Sequence, residues 1–412
     1  MDTMLVDTVD TESLTKVSLH TDTPAAAGRL PLMAFVDAET ERVLQEASGV
    51  LGRCVIMRGG ITKAIEYLSA QRSPNLLIVD IGGIDMPLQH IQTLAEVCEP
   101  GTSVVAIGNQ NDVALYRDLI DIGVSNYIVK PLTRELLTRT LAPQNRANKA
   151  EIVRSISKLG KVTSFVGARG GVGTTTLAGN LAWYLANHQT RRVALVDLDL
   201  QRGDCSMLFN VPATSGFKDA LSNPLRLDHL LLDRIMTKVG DRLFLLGSEE
   251  PLQDDVLITV SAIDTLFAVL RSQFHHIVVD VPRIQSLAYR RALEMADHRI
   301  IVVDQTMRSM RDGVRITKLF DDISEHRNSF VVNRVGEVGN NALSIKDVQE
   351  VLQATPACLI PFLPKLMTPA AHDGVLAASM RGKFTTAVAS LSTQVSERQE
   401  QRRHWWSRRA TA

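Results

Sequence analysis

Residues 162–187 read VTSFVGARGGVGTTTLAGNLAWYLAN, and the rest of the chain is organised around them. An apolar, strand-like run ends at Gly167, a glycine-rich turn follows, and an alanine- and leucine-rich helical pattern opens directly after it. Gly170, Gly171 and Gly173 let the backbone fold back so that successive N–H groups point inward, and the helix adds its positive N-terminal end. A strand, turn and helix in that order make a cradle for the phosphates of a nucleotide. A glycine-rich turn without a ligand is the plainer alternative.

A phosphate-binding loop normally carries Lys just before its Ser or Thr, where the ammonium reaches the β- and γ-phosphates, and here that position is Thr174. The hydroxyl that binds magnesium is retained at Thr175. The stretch RGGVGTTT resembles KGGVGKTT, the deviant Walker A motif of the ParA/MinD family of dimeric ATPases. That resemblance implies that Gly170, Gly171, Val172, Gly173, Thr174, Thr175 and Thr176 wrap the phosphates of ATP. It also implies that Arg169, at the position of the family's early Lys, reaches across a dimer to the partner's nucleotide.

Downstream of this loop the apolar runs VTSFVG, RVALVDLD, RLFLLGS, HIVVDVP, RIIVVDQ, SFVVNRV and ACLIPF alternate with helical stretches, the pattern of a parallel sheet covered on both faces. VALVDLDLQRGD places Asp197 and Asp199 at a strand end, where a carboxylate can orient an attacking water or hold a magnesium-bound water. It resembles the family's DxD element, so both are carried over as catalytic candidates with Arg169. IVVDVP ends in Asp280 in the manner of a Walker B strand, and Asp280 with Thr175 forms the expected Mg2+ site. Asn333, at the end of VVNRV, either reads the purine edge of the base, as the family's Asn does, or caps a turn. PFLPKLMTPAAHDGVL, with Gly374 ahead of a final helix, resembles the loop that covers the base.

Upstream, residues 31–141 carry five shorter strand–helix units: LMAFV, CVIM, LLIVD, SVVAIG and NYIVKP, with helices predicted over 39–48, 60–71, 87–97 and 111–122. Five such units in a hundred or so residues predict a flavodoxin-like domain with its site at the carboxyl ends of the strands. The order resembles a response-regulator receiver. Asp37, Asp80 and Lys130 fall where that family keeps its chemistry, Asp80 as the phosphoacceptor. Two features depart from the family. FVDAE offers Asp37 without an adjacent acid, and the switching Ser or Thr at the end of the fourth strand is Gly108. The expectation is therefore a pseudo-receiver used for docking or dimerisation, with phosphorylation of Asp80 as the alternative.

The 412 residues contain 45 basic and 45 acidic side chains. Bulk charge thus gives no reason to expect wholesale nucleic-acid binding. Cys54, Cys98, Cys205 and Cys358 are widely spaced and read as free thiols. There is no signal-peptide pattern and no run of 18 apolar residues, so the expectation is a cytoplasmic protein. Residues 1–30, rich in Thr and Asp, read as a disordered tail and 142–160 as a linker between two mobile domains. The ATPase-like domain occupies 161–394. Residues 395–412 hold five Arg against two Glu, with Trp405 and Trp406, a composition suited to an anionic membrane surface or an acidic groove.

The fold class expected is α/β, with a flavodoxin-like pseudo-receiver followed by a ParA/MinD-type P-loop domain. That combination, with GGVGTTT and FKDALSNPLRLD, resembles the TadZ/CpaE group of Flp-type (tad) pilus assembly proteins. The resemblance implies a homodimer stabilised by ATP and Mg2+, with weak or absent hydrolysis. It further implies pilus secretion and assembly proteins as partners, no specific nucleic acid, and a position at a cell pole, with peripheral inner-membrane contact through the basic tail. A cycling ParA/MinD-like ATPase that positions another cargo, DNA included, is the competing reading.

Overall fold

The computed structural model describes residues 30–47, 54–141, 159–283, 286–320, 327–339 and 342–396. The expected N-terminal tail, most of the linker and the basic Trp/Arg tail lie outside the described residues.

The first sheet comprises β1 (Leu32–Val36), β2 (Cys54–Arg58), β3 (Leu76–Asp80), β4 (Ser103–Gly108) and β5 (Asn126–Val129), all parallel in the order β2-β1-β3-β4-β5. The helices α1 (Ala38–Glu46), α2 (Gly60–Ala70), α3 (Pro87–Val97), α4 (Val113–Ile122) and α5 (Arg134–Leu141) alternate with the strands. The central strands β1 and β3 are buried along their whole length, because helices cover both faces. Local chemistry sets the helix ends. Asp37 and Asp112 accept the backbone N–H groups of Thr40 and Ala114, and Gly123 ends α4 at φ 111°.

The second sheet is wider, with strand order β13-β12-β11-β6-β10-β7-β9-β8. Its strands are β6 (Lys161–Gly167), β7 (Val193–Asp197), β8 (Thr237–Lys238), β9 (Leu243–Leu246), β10 (His276–Val281), β11 (His298–Val303), β12 (Arg327–Val335) and β13 (Cys358–Pro361). All pairings are parallel except the two-residue β8, which runs antiparallel to β9 at the edge. Helices α6 (Thr174–Asn187), α7 (Val260–Gln273), α8 (Leu287–Glu294), α9 (Met307–Lys318), α10 (Ile345–Leu352), α11 (Pro364–Asp373) and α12 (Lys383–Ser396) cover it. One apolar core lies beneath α7, α8 and α9, including Phe267, Phe274 and Phe330. The other lies beneath α6 and α12, including Leu177, Leu181, Leu185 and Phe384. This is the P-loop fold of ParA/MinD type, and β6 at its centre aims the glycine-rich turn at the carboxyl edge of the sheet. Among the described residues, no helix is long and apolar enough to cross a membrane.

The two units meet at the opposite, amino-terminal feet of their strands. Arg192, just before β7, ion-pairs with Glu99 at 3.0 Å, and Arg72 reaches Glu99 at 3.5 Å and Asp233 at 3.1 Å. The Arg192 guanidinium lies 4.5 Å from the centre of the Phe244 ring, which takes up the face that its carboxylates leave open. His275 accepts the Arg192 N–H at Nδ1 (3.1 Å), so its proton is on Nε2, which donates to the Cys98 carbonyl at 2.8 Å. Burial then pushes the imidazole down from 6.5 to about 4. A second ring proton would have nowhere to go. Buried, interlocked charges of this kind hold the units as neighbours, in contrast with the mobile pair expected from the linker.

Candidate functional site

Each sheet brings an acidic pair to its carboxyl edge. In the first, Asp37 ends β1 and Asp80 ends β3, and Lys130, following β5, puts Nζ 2.6 Å from Oδ2 of each. Asp80 is buried and also accepts the Gly82 N–H at 2.7 Å. Burial pushes Asp37 upward, but the Lys130 ammonium and the Thr40 hydrogen bonds outweigh it and hold the carboxyl at about 2. One ammonium thus serves both acids from within the chain. Gly108 stands where a receiver has its hydroxyl, and a Cβ there would lie 2.6 Å from Tyr127 Oη. That hydroxyl is anchored on the Gln110 carbonyl at 2.9 Å. A Ser or Thr side chain has no space at this position unless Tyr127 moves.

In the second sheet the glycine-rich turn has Gly171 at φ 71° and Gly173 at φ 96°, conformations that favour glycine. Gly173 caps α6, so the N–H groups of Thr174, Thr175 and Thr176 face the cradle at the helix start. A Cβ on Gly170 would meet nothing within 4 Å, which leaves the mouth of the loop open. Asn333 reaches in from β12, donating from Nδ2 to the Val172 carbonyl at 2.8 Å and accepting the Arg334 N–H. In this conformation its amide braces the loop.

Arg169 does not point away from its own subunit. Its Nε lies 2.6 Å from Asp304 Oδ2, a second guanidinium nitrogen contacts the same oxygen, and Nη1 donates to the Gly170 carbonyl. Asp304, at the end of β11, is buried and also accepts from the Thr306 hydroxyl at 2.7 Å.

Asp197 and Asp280 lie side by side in register on β7 and β10. Asp197 accepts the N–H groups of Asp199 (3.1 Å) and Cys205 (3.2 Å), and Thr175 hydrogen-bonds Asp280. Asp199 is less buried and accepts the Arg202 N–H, capping the next turn. Among the described residues no basic side chain pairs with Asp197 or Asp280. Burial pushes both carboxyls well up, and for Asp280 the charge of Asp197 adds to the effect. Two buried carboxylates beside a Thr hydroxyl, with no cation of their own, fit a Mg2+ ion that arrives with a nucleotide. Cys205 joins them, since its Sγ and an oxygen of each acid lie within 4.8 Å of one another.

Of the residues singled out in the sequence, the structure gathers Gly170 to Thr176, Asp197, Asp199, Asp280 and Asn333 at one edge, and Asp37, Asp80 and Lys130 at another. It adds Asp304 and Cys205. Asp304 shares the apolar-run-then-Asp pattern of Asp197 and Asp280, so its strand end was a legible signal. For Cys205 there was none.

Fold and site together define a P-loop domain with the ParA/MinD-type fold. A family model for an AAA domain, AAA_31, matches residues 160–332. The septum site-determining protein MinD of Synechocystis sp. is 26% identical over 211 residues, covering 50% of this chain and 76% of that protein. A ParA family ATPase from Chlorobium tepidum superposes with a TM-score of 0.51 at 22% identity, over 57% of this chain and 99% of the other. The pilus assembly protein CpaE from Caulobacter crescentus is 33% identical over 28% of this chain and 99% of its own, with a TM-score of 0.27, a match too partial to bear on architecture.

Proposed function

We propose that the chain is an ATP-binding localisation and assembly factor for a Flp/tad-type pilus machinery, acting as a nucleotide-stabilised homodimer with little hydrolysis. The observation that carries the nucleotide part is the pairing of an open phosphate loop with two buried, uncompensated carboxylates. Such a site gains from Mg2+–ATP what it lacks on its own. Thr175 and Asp280 would hold a Mg2+ ion arriving with the nucleotide, which would supply positive charge to the acids and the phosphates. Asp197 and Asp199 would orient water at the γ-phosphate.

Low turnover follows from Thr174. Phosphoryl transfer depends on positioning and on charge stabilisation, and a hydroxyl in place of an ammonium weakens both. Arg169 is committed to Asp304, so it reaches a partner's phosphates only by leaving a buried acid unpaired. The pilus part rests on the resemblance of the pseudo-receiver and GGVGTTT combination to the TadZ/CpaE group. Within this reading the pseudo-receiver is a docking module, Asn333 contacts the base or braces the loop, and the Arg/Trp tail touches the inner membrane.

Sedimentation of the purified chain against increasing Mg2+–ATP tests the proposal, the expected result being a shift from monomer to dimer with negligible phosphate release. Dimer formation that collapses as phosphate is released would favour instead a cycling positioning ATPase, a reading supported by the 211-residue similarity to MinD.

A further inference from the structure

A groove of about 530 Å³ runs between α8 and α9, on the face of the second sheet away from the phosphate loop's helix. Its floor is apolar, formed by Val281, Leu293, Ile316 and Phe320. Leu287 and Leu319, on its lip, are 76% and 50% exposed. Exposed leucines beside a concave apolar floor mark a surface built to be covered.

The rim identifies the chemistry of the cover. Arg283, Arg311 and Arg315 all converge on a single acid, Asp312, at 3.1, 2.9 and 3.6 Å. Three guanidiniums on one carboxylate leave a net positive edge, and Arg290, ion-paired with Glu294 at 2.8 Å, lines the same groove. Beneath the floor, Arg299 is buried with its guanidinium 4.7 Å from the centre of the Phe320 ring, and its Nη2 has no hydrogen-bond partner. The occupant should therefore be apolar in part and acidic.

The chain carries such a segment. Three long stretches fall outside the described residues. Residues 142–158 hold four basic side chains against Glu151, and 397–412 hold five Arg against two Glu, so both share the sign of the rim. Residues 1–29 hold five acids against Lys16 and Arg29, and place Asp7, Asp10 and Glu12 among Met4, Leu5, Val6, Val9 and Leu14. At roughly 3.3 Å per residue the ten residues 20–29 between this stretch and Leu30 span up to about 33 Å, and tethering raises the stretch's effective concentration near the chain's own surfaces.

We propose that residues 4–19 dock in the arginine-rimmed groove between α8 and α9. Their acids meet Arg290, Arg311 and Arg315, and their apolar side chains cover Leu287, Leu319 and Phe320. The segment thereby screens the ATPase unit's apolar face from other acidic ligands.

The test uses the full chain with Leu287→Cys and measures the alkylation rate of that thiol at low salt. Cys98 and Cys205 are buried, and burial holds Cys54 and Cys358 at about 11, so all four native thiols react slowly and the introduced thiol dominates the signal. Reversing the acids (Asp7→Arg, Asp10→Arg, Glu12→Arg) should speed labelling about tenfold, as expected for a groove occupied roughly nine-tenths of the time. Adding Arg290→Glu and Arg315→Glu to that variant should restore the slow rate by swapping the charges. A synthetic peptide of residues 1–22 should also slow labelling of the acid-reversed chain, whereas a scrambled peptide should not. The same labelling rate in the native and acid-reversed tails would overturn the proposal, leaving the groove to an acidic partner. Equal protection by the scrambled peptide would reduce it to non-specific charge. Leu319→Cys serves as the second reporter if Leu287→Cys perturbs folding.

Discussion

Both sheets present two aspartates at their carboxyl edges, but only one supplies the cation. In the first unit, Lys130 bridges Asp37 and Asp80 at 2.6 Å to each, so one internal cation offsets half of the pair's charge without a ligand. In the P-loop unit the comparable acids, Asp197 and Asp280, have no basic partner among the described residues, the loop Lys is Thr174, and the remaining loop cation, Arg169, is bound to Asp304. The first site is closed by its own cation, the second open and without one among the described residues. The same strand-end geometry thus yields a structural ion triad in one unit and a ligand-dependent site in the other. Where the cation comes from decides which.

The strongest way to break this contrast is to remove the internal cation. Lys130→Met leaves Asp80 buried without its partner and should destabilise the first unit by about 3 kcal/mol, measured by denaturant unfolding. A loss under about 1 kcal/mol would mean that water, not Lys130, satisfies the acids. The reverse experiment gives the open site a cation of its own. Thr174→Lys should tighten ATP binding and raise hydrolysis on the order of 10-fold. If affinity and turnover stay at the native level in a folded variant, the site has lost more than its lysine.

The contrast also predicts opposite responses to pH. Asp37 lies below its ordinary 3.8, so its contribution is present above that pH and is lost as pH falls toward 2. Asp197 and Asp280 lie above theirs, so the unfolded chain releases those protons first and the P-loop unit loses stability as pH rises from about 4 toward neutrality. Hydrogen exchange, read unit by unit, should show the two slopes, and millimolar Mg2+ with nucleotide should flatten only the second. Chelating the Mg2+ should bring the slope back. The smallest effect is expected from Asp80→Asn, which keeps Lys130 paired with Asp37 and should cost about 1 kcal/mol while preserving the fold. Unfolding of that variant under native conditions would show that Asp80 matters more than the ion triad implies.

Much of this was legible in the sequence, for reasons that particular residues make plain. Apolar runs ending in Asp80, Asp197 and Asp280 marked strands buried on both faces, and the glycines at 170, 171 and 173 marked the turn, because both signals are local. The pairing of Arg169 with Asp304 was not legible, since 135 residues separate them and either could have faced solvent. The two-residue β8 is too short to leave a periodic pattern. The contact between the units was hidden for the same reason as the Arg169 pair. Glu99, Arg72, Arg192, Asp233 and His275 come from five separate segments, each of which reads as an ordinary surface charge.

That contact fixes the polarity of the molecule. Because the sheets abut through the feet of their strands, the ion triad and the phosphate loop face outward at opposite extremities. Two copies joined at their phosphate loops would form a linear strut, with the Asp37–Asp80–Lys130 triad of each copy at a far end and the nucleotides at its midpoint. Such a strut is bivalent. Weak attachments at its two tips would reinforce each other through avidity, and the spacing between them would be set by folded protein rather than by a loose linker.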